Sequence, residues 1–328
     1  MNKKRITSID VARCAGVSPS AVSRTYSAPG KVSQATRSRV LAAANELGYR
    51  PNALARALVN SGRQGSGIVA VVMGEFDNPF QPWLFGLLTQ ALQQHGLVPM
   101  LVSVTEQCDI RARLQQAQSW QVEAAIISAG SLSREATGRC LELSLPMVLM
   151  GREDQRETVT AVLSDNRLAG ELAADHLISL GLTRLAYIGG RQDGQASLER
   201  LAGFRQRLAH HGLPEPVVTD NPDYAYHSGY HAMCRLRQQH PLVEGVFCAC
   251  DALAFGALDA LRLTDGPACK VVGCDDTPQA AWEGYRLTTV RQPVELLVEQ
   301  VMRHLQRVLS GEAQKGETVR ITPTLIVR

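Results

Sequence analysis

The 328-residue sequence predicts an all-α helix-turn-helix headpiece, joined through a hinge helix to an α/β body of two lobes. Charge, capping residues and the spacing of apolar runs carry that prediction. Residues 1–63 hold eleven Lys or Arg against two acids, Asp10 and Glu46, a net of +9. The whole chain is only +3, so residues 64–328 carry 23 bases and 29 acids, a net of −6. A basic module fused to an acidic domain points to a polyanion as partner of the first part. A solubilising tail would be low in complexity, whereas this stretch is patterned.

The headpiece is predicted over residues 1–48. Thr7 precedes Asp10 at capping-box spacing, and Val11, Ala12 and Ala15 form an apolar face before Gly16. Ser18 suits an N-cap and Pro19 the first helical position, where no backbone N–H is needed, so a second helix is predicted to about Tyr26. Only Gly16 and Val17 stand between the two, a helix-turn-helix spacing. A third helix is predicted from Ser33, with Val40, Leu41, Ala44 and Leu47 inward and Gly48 as its stop. With Val22 inward, Ser20, Ala21 and Arg24 are left for a major groove, where Arg24 can pair with guanine or hold a phosphate. Ser18, Ser23, Ser33 and Thr36 are short hydroxyl donors suited to phosphate oxygens as well as to capping.

Residues 49–63 are predicted to form a hinge. Asn52 caps a helix of under two turns, too short to persist alone in water, so it should order only against a partner or DNA. Small Ala53 and Ala57 with bulky Leu58 suit a close helix pair that presents an apolar wedge to the minor groove. A plain interdomain linker is the competing reading.

Residues 64–328 alternate apolar runs with helical segments. The run Ile68 to Met73 leads to a helix predicted from Pro82 to His95, stopped by Gly96. Strands over 98–103, 124–128 and 146–150 then alternate with helices over 110–120 and 133–143. A second series begins near Ala161, with helices over 167–180, 198–211, 226–239 and 252–261 and strands over 184–188, 245–249 and 270–273. Continuous apolar strands between helices imply parallel sheets covered on both faces, and two such series imply two lobes. A ligand cleft is expected at the carboxyl ends of the strands.

Enzyme classes find no support, because GxGxxG, Walker A, GxSxG and HExxH motifs are absent from the sequence. Asp275 and Asp276 are adjacent at a strand end and therefore point apart, which suits ligand orientation better than paired-carboxylate catalysis. The eight cysteines form no CxxC pair and read as buried thiols, with neither metal nor cofactor implied. No apolar signal core or membrane-length run occurs, so the expected location is the cytoplasm, at the nucleoid when DNA is bound, with no membrane contact. A solute-binding protein of a transport system would share the body, yet it would carry an export signal and lack the basic headpiece.

The segments Asp10-Val11-Ala12, Ala15-Gly16-Val17-Ser18, Val22-Ser23-Arg24, Val32-Ser33, Thr36-Arg37 and Leu47-Gly48-Tyr49-Arg50-Pro51-Asn52-Ala53-Leu54-Ala55-Arg56 resemble the LacI/GalR family of bacterial transcriptional regulators. The resemblance implies a periplasmic-binding-protein-like body with its ligand between the lobes, and segments near Thr288 to Val294 crossing back. It places Pro19, Ser20 and Arg24 at base-reading positions, Lys31 near the groove edge and Leu58 as the hinge wedge, with Thr7, Asn52, Ala55 and Arg56 completing the DNA-binding set. Pro19 departs from the side chains usual at the first reading position, offering an apolar surface but no donor. In the body the resemblance marks Arg200 as an effector anchor, Asp275 as its acidic partner, and Tyr224 and Phe80 as aromatic walls. Gln81 stands where a second aromatic is common, Gly151 where some sugar-binding members have Asp, and Cys250 where some have Asn. The implied function is repression of transcription through a pseudo-palindromic operator, bound by a homodimer and controlled by a sugar, sugar acid or sugar phosphate. The chain ends directly after strand-like Thr324 to Val327, so a dimer rather than a zipper-held tetramer is expected.

Overall fold

The computed structural model describes residues 6–49, 66–74, 76–104, 110–154, 158–264, 266–312 and 316–328. The chain divides into two compact units, Met1–Ile68 and Val69–Arg328. In the first unit α1 (Ser8–Ala15) has Thr7 as N-cap, with the reciprocal Thr7–Asp10 capping box formed and Gly16 closing it in the left-handed conformation. Helix α2 (Pro19–Ser27) is capped by the Ser18 hydroxyl, and α3 (Gln34–Leu47) by that of Ser33, with Gly48 left-handed at its end. Val11, Ala12, Ala15, Val22, Val40, Ala43 and Ala44 form the core. Leu41 departs from expectation: it is 42% exposed. The buried stripe runs through Val40, Ala43, Ala44 and Leu47, and Leu41 lies about 100° around the helix from Val40. The predicted hinge, including Asn52, Ala55, Arg56 and Leu58, lies outside the described residues.

The second unit contains two six-stranded sheets. The first lobe is built from β1 (Ile68–Met73), α4 (Phe80–Gln94), β2 (Val98–Ser103), α5 (Ile110–Ser119), β3 (Ala124–Ile127), α6 (Arg134–Leu141), β4 (Met147–Met150) and β5 (Ala161–Ser164). The second continues with α7 (Asn166–Ser179), β6 (Leu185–Ile188), α8 (Gln195–His210), β7 (Val217–Thr219), α9 (Tyr226–Gln239), β8 (Gly245–Cys248), α10 (Asp251–Leu263), β9 (Lys270–Asp275) and β10 (Thr288–Arg291). The chain then returns to the first lobe through α11 (Val294–Leu309) and β11 (Thr318–Ile321), and ends with β12 (Thr324–Ile326) in the second sheet. Strand orders are β11-β5-β4-β3-β1-β2 and β12-β10-β9-β8-β6-β7. The recorded pairings are parallel except that β12 runs antiparallel to β10.

Strands fully buried on both faces explain why their sequences read as unbroken apolar runs. Helix α4 starts two residues before the predicted Pro82, because the Asn78 carboxamide oxygen accepts the Phe80 N–H at 2.9 Å and supplies the first turn's missing acceptor. Strand β7 and helix α11 were not expected. β7 is only three residues long and half-buried, so it offers no buried run. Helix α11 inserts Val294, Leu297, Val298, Val301, Met302 and Leu305 into the first lobe's core, which makes the return of the chain structurally integral rather than a tail. Cys140, Cys248, Cys250 and Cys274 are buried as expected, but Cys14 is exposed on α1 because it projects from that helix's solvent face.

Candidate functional site

In the headpiece the exposed face of α2 gathers most of the predicted reading side chains. Ser18, Pro19, Ser20 and Arg24 are exposed, Ala21 and Ser23 are half-buried, and Val22 is sealed into the core. The Ser18 hydroxyl lies 2.9 Å from that of Ser20, which in turn accepts from an Arg24 guanidinium nitrogen at 3.3 Å. Capping fixes the two serines near the helix start: Ser18 accepts the Ala21 N–H at 3.2 Å, and Ser33 accepts the Thr36 N–H at 3.3 Å at the start of α3. Lys31 is exposed in the short 3₁₀ turn that links α2 to α3. Thr7 is exposed and caps α1, with its hydroxyl donating to Asp10 at 2.7 Å.

In the body, parallel strands deliver their carboxyl ends to one cleft of about 1000 Å³. Gly74 follows β1, Gly130 and Ser131 follow β3, Gly151 follows β4, and Ser164 ends β5; from the second lobe come Arg191 and Asp193 after β6, Cys250 after β8 and Asp275 at the end of β9. All six body residues singled out from the sequence, Phe80, Gln81, Arg200, Tyr224, Cys250 and Asp275, line it.

Arg200 is a buried group, 5% exposed, and not a surface ion pair. Its Nε donates to Asn166 Oδ1 at 2.9 Å, and its Nη1 donates to the Ala249 carbonyl and lies 3.9 Å from Asp275 Oδ1. Asp275, 3% exposed, accepts from Gln292 Nε2 at 2.6 Å. Burial is the largest influence on its carboxyl and pushes it up to about 7, against the opposing pull of Arg200 and with Asp251 acting in the same direction. Asp251 sits behind it at the start of α10, accepting from Thr289 Oγ1 at 2.6 Å and from Thr277 N at 2.7 Å, and burial lifts its carboxyl to about 6 in spite of those bonds. Asp275 and Asp276 both have positive φ, 137° and 54°, a conformation costly for side chains other than glycine. They diverge as expected: Asp276 pairs with Arg291 at 2.7 Å and Arg328 at 2.6 Å, away from Arg200.

The first lobe lines the cleft with neutral groups and with the charged Asp77, Arg134, Glu135 and Arg139. Gln81, largely buried, accepts from the Ser128 hydroxyl at 3.4 Å, and Ser131 receives the Gly74 N–H at 2.9 Å. Ser164 and Tyr224 line this cleft, and their hydroxyl oxygens are buried and find no hydrogen-bond partner among the described residues. An unmet buried hydroxyl costs about 1–3 kcal/mol, so a polar ligand atom or water is the natural complement. The departures at three positions have physical causes or consequences. Gly151 has φ 77°, and a Cβ there would stand 3.1 Å from Gly130 Cα, so aspartate is disfavoured by the close backbone contact. Cys250 supplies a weak thiol donor, directed at the Tyr224 carbonyl at 3.6 Å, and burial raises its pKa well above the ordinary thiol value. Gln81 makes the aromatic side of the cleft polar, while Phe80 packs edge-on to Trp83 at 6.0 Å between ring centroids.

Sequence reasoning missed Ser131, Ser164, Asn166, Asp193 and Gln292, all of which line the cleft. Ser164 and Asn166 carried a usable signal, because polar residues directly after a buried strand mark a strand's carboxyl end. Asp193 and Gln292 lie in connections without periodicity. Among the described residues no group of three or more His, Cys, Asp or Glu could hold a metal ion, and no helix is long and apolar enough to cross a membrane.

Residues 8–52 match the bacterial regulatory proteins, lacI family, and residues 174–328 match the periplasmic binding protein-like domain. The HTH-type transcriptional regulator CelR of Thermobifida fusca is 31% identical, covering 100% of this chain and 99% of its own. The chain belongs to the lacI family. The family's headpiece and body are therefore both present, and the protein is a DNA-binding transcriptional regulator rather than an enzyme. The ribose operon repressor of Halalkalibacterium halodurans is 28% identical over 87% of this chain and 85% of its own. The solved CelR–cellobiose complex has a TM-score of 0.73 at 32% identity, with 99% of both chains covered. The lac repressor dimer bound to operator superposes with a TM-score of 0.86 at 24% identity, with 99% and 98% covered, which establishes likeness of fold. These relatives lend no support to the alternative of a transport-system binding protein.

Proposed function

We propose that this lacI-family regulator represses transcription as a homodimer on a pseudo-palindromic operator, and that a saccharide bound between its lobes sets its operator affinity. The observation that carries the reading is the buried Arg200–Asp275 pair presented at a strand carboxyl end to a cleft that also offers the hydroxyls and amides of Ser131, Ser164, Gln81 and Gln292, beside further charged side chains such as Arg134, Arg191 and Asp193. A guanidinium fork and a carboxylate side by side suit the paired hydroxyls of a sugar, the one donating and the other accepting. Tyr224 adds a ring face suited to the C–H surface of a pyranose. A CelR solved in complex with cellobiose and a relative named a ribose operon repressor support the class without choosing its member.

In this reading Pro19, Ser20, Ala21 and Arg24 meet base edges, while Thr7, Ser18, Ser23, Lys31, Ser33 and Thr36 meet the backbone. Asn52, Ala55, Arg56 and Leu58 belong to a hinge over residues 49–63 that joins the headpiece over 1–48 to the body over 64–328. Two copies are needed because one recognition helix reads few base pairs. Apolar side chains left open on the first lobe's edge strand, Val98 and Leu101, and Leu263 and Trp282 on the second lobe, support self-association. The protein works in the cytoplasm, at the nucleoid when bound.

A ligand shifts operator affinity only through different affinities for two arrangements of the lobes, and a coupling of about 1–3 kcal/mol gives roughly 5- to 150-fold changes. The test is binding to the chain's own upstream DNA and to random DNA over a salt series, with and without a panel of sugars, sugar acids and sugar phosphates. A specific-to-random ratio above about 10³ that one saccharide shifts supports the reading. Equal, salt-sensitive binding to both DNAs, untouched by every member of the panel, rejects it.

A further inference from the structure

One group of contacts joins the two lobes beside the cleft, and the sequence reading assigns it no role. Arg152, two residues beyond β4, is 4% exposed. Its Nε donates to the Ala129 carbonyl at 3.4 Å and its Nη2 to the Leu132 carbonyl at 3.2 Å, both in its own lobe; Nη2 also donates to the Asp193 carbonyl of the other lobe at 3.2 Å. No carboxylate lies within salt-bridge distance of this buried cation among the described residues, so burial disfavours its charge and backbone carbonyls replace water around it. The Asp193 carboxylate accepts the Arg134 backbone N–H at 3.0 Å, at the start of the first lobe's α6, while Arg191 holds its other oxygen at 3.1 Å. The Glu153 N–H reaches Gln195 Oε1 at 3.3 Å. Arg320 of β11 joins Glu153 of the first lobe to Glu199 of the second, at 3.3 Å on the Glu199 side. Every second-lobe residue that itself reaches the first lobe in this group lies between Asp193 and Glu199.

The same network reaches the cleft. Asn166 donates to Glu199 Oε2 at 3.5 Å and accepts from Arg200 Nε at 2.9 Å, so the buried anchor arginine and the interlobe arginine Arg320 share one amide and one carboxylate between them. Asn166 opens α7 two residues after Ser164, with Asp165 between them as N-cap, where the chain crosses from one lobe to the other. A shift of the Arg200 guanidinium toward a bound molecule therefore acts on Asn166, and through it on Glu199 and Arg320.

We propose that residues 193–199 form a strap, latched to the first lobe by Arg152, by the Arg134 and Glu153 N–H groups and by Arg320, through which occupancy of the cleft sets the arrangement of the lobes. This rests on the reading that an effector enters the cleft. The outer half of the latch is made of partly exposed ion pairs, which are individually weak and therefore separable, while its inner half is the buried Arg152.

The test is hydrogen exchange by mass spectrometry on the ligand-free full chain, comparing wild type with Asp193→Ala, Arg320→Ala and the double variant. Arg205→Ala is the control, because the Arg205–Glu215 pair lies wholly within the second lobe. Peptides containing the Arg134 and Glu153 amides should exchange at least tenfold faster in the double variant, with β1 and β8 unchanged and the control matching wild type. The same variants, with no substitution in the headpiece, should shift affinity for the upstream DNA at least threefold. Unaltered exchange at Arg134 and Glu153 overturns the latch, as does acceleration spread evenly over both lobes. Faster local exchange with unchanged DNA affinity overturns its regulatory role. Because no saccharide is present, failure of the effector reading appears separately, as wild-type protein whose melting temperature no saccharide raises.

Discussion

Replacing Arg200 by alanine tests the site and the fold together. The side chain holds Asn166, the Ala249 carbonyl and the neighbourhood of Asp275 in a region closed to water. Each charge-assisted hydrogen bond is worth about 1.5–3 kcal/mol, and removing one member of a buried pair typically costs about 3–5 kcal/mol. The two figures do not simply add, because Asp275 can take a proton when its counter-cation is gone, and burial already holds its carboxyl up to about 7. A net loss of roughly 3–5 kcal/mol corresponds to a fall in melting temperature of about 6–20 °C for a domain of this size. The assay is calorimetry on ligand-free Arg200→Ala, with Arg200→Lys beside it; lysine keeps the charge but not the planar fork and should recover only part of the loss. Operator binding measured below the melting transition should survive, while the saccharide response disappears. An Arg200→Ala protein melting within about 1 °C of wild type would show that the guanidinium is not the internal hub described above.

Asp275→Asn should remove a pH dependence with a defined sign. A carboxyl raised by burial binds its proton more tightly in the folded chain than in the unfolded one, so its contribution to stability is full below about pH 4 and is lost as pH rises through about 7. Urea midpoints at pH 5.5 and 7.5 should therefore differ more in wild type than in the variant; identical differences would dismiss the raised carboxyl. Gly190→Ala places a Cβ in the Tyr224 ring, so displacement of the ring should cost about 1–3 kcal/mol and weaken saccharide binding, and a variant with wild-type Tm and response would contradict that packing. Thr7→Ala breaks the capping box of α1 and should cost about 1 kcal/mol, seen as roughly fivefold faster exchange of its amides; unchanged exchange would mean the cap carries no weight.

The sequence was most legible where a single local cause decides the structure. Thr7, Ser18 and Ser33 cap the three helices expected of them, and Gly16 and Gly48 adopt the left-handed conformation that ends α1 and α3. Buried parallel strands announced themselves as apolar runs for the same reason that they are buried. Leu41 was misplaced because the helix carries apolar residues on more than one flank, and packing against α1 and α2 selects Ala43 instead. Helix α11 illustrates a different limit. Its apolar stripe is clear, yet only tertiary structure reveals that it completes the core of the lobe the chain left at Ser164. The cleft residues contributed by resemblance all meet in one place; Ser164 and Asn166 were legible as a strand's carboxyl end, but Asp193 and Gln292 needed the topology, since strand carboxyl ends from two sheets converge there from distant positions in the sequence.

The features that cost stability cluster on that convergence. Asp275 combines a buried charge with a positive φ, Arg152 and Arg200 are cations withdrawn from water, and the Ser164 and Tyr224 hydroxyls lack partners among the described residues. A chain selected for stability alone would not be expected to gather so many buried charges and strained positions around one cavity. Their joint presence is accounted for if the cleft serves to bind a molecule with several hydroxyls, whose pairing with Arg200 and Asp275 releases free energy. The free energy so released is available to whichever lobe arrangement binds that ligand better, and the Asn166–Glu199–Arg320 path lies between those groups and the interlobe contacts.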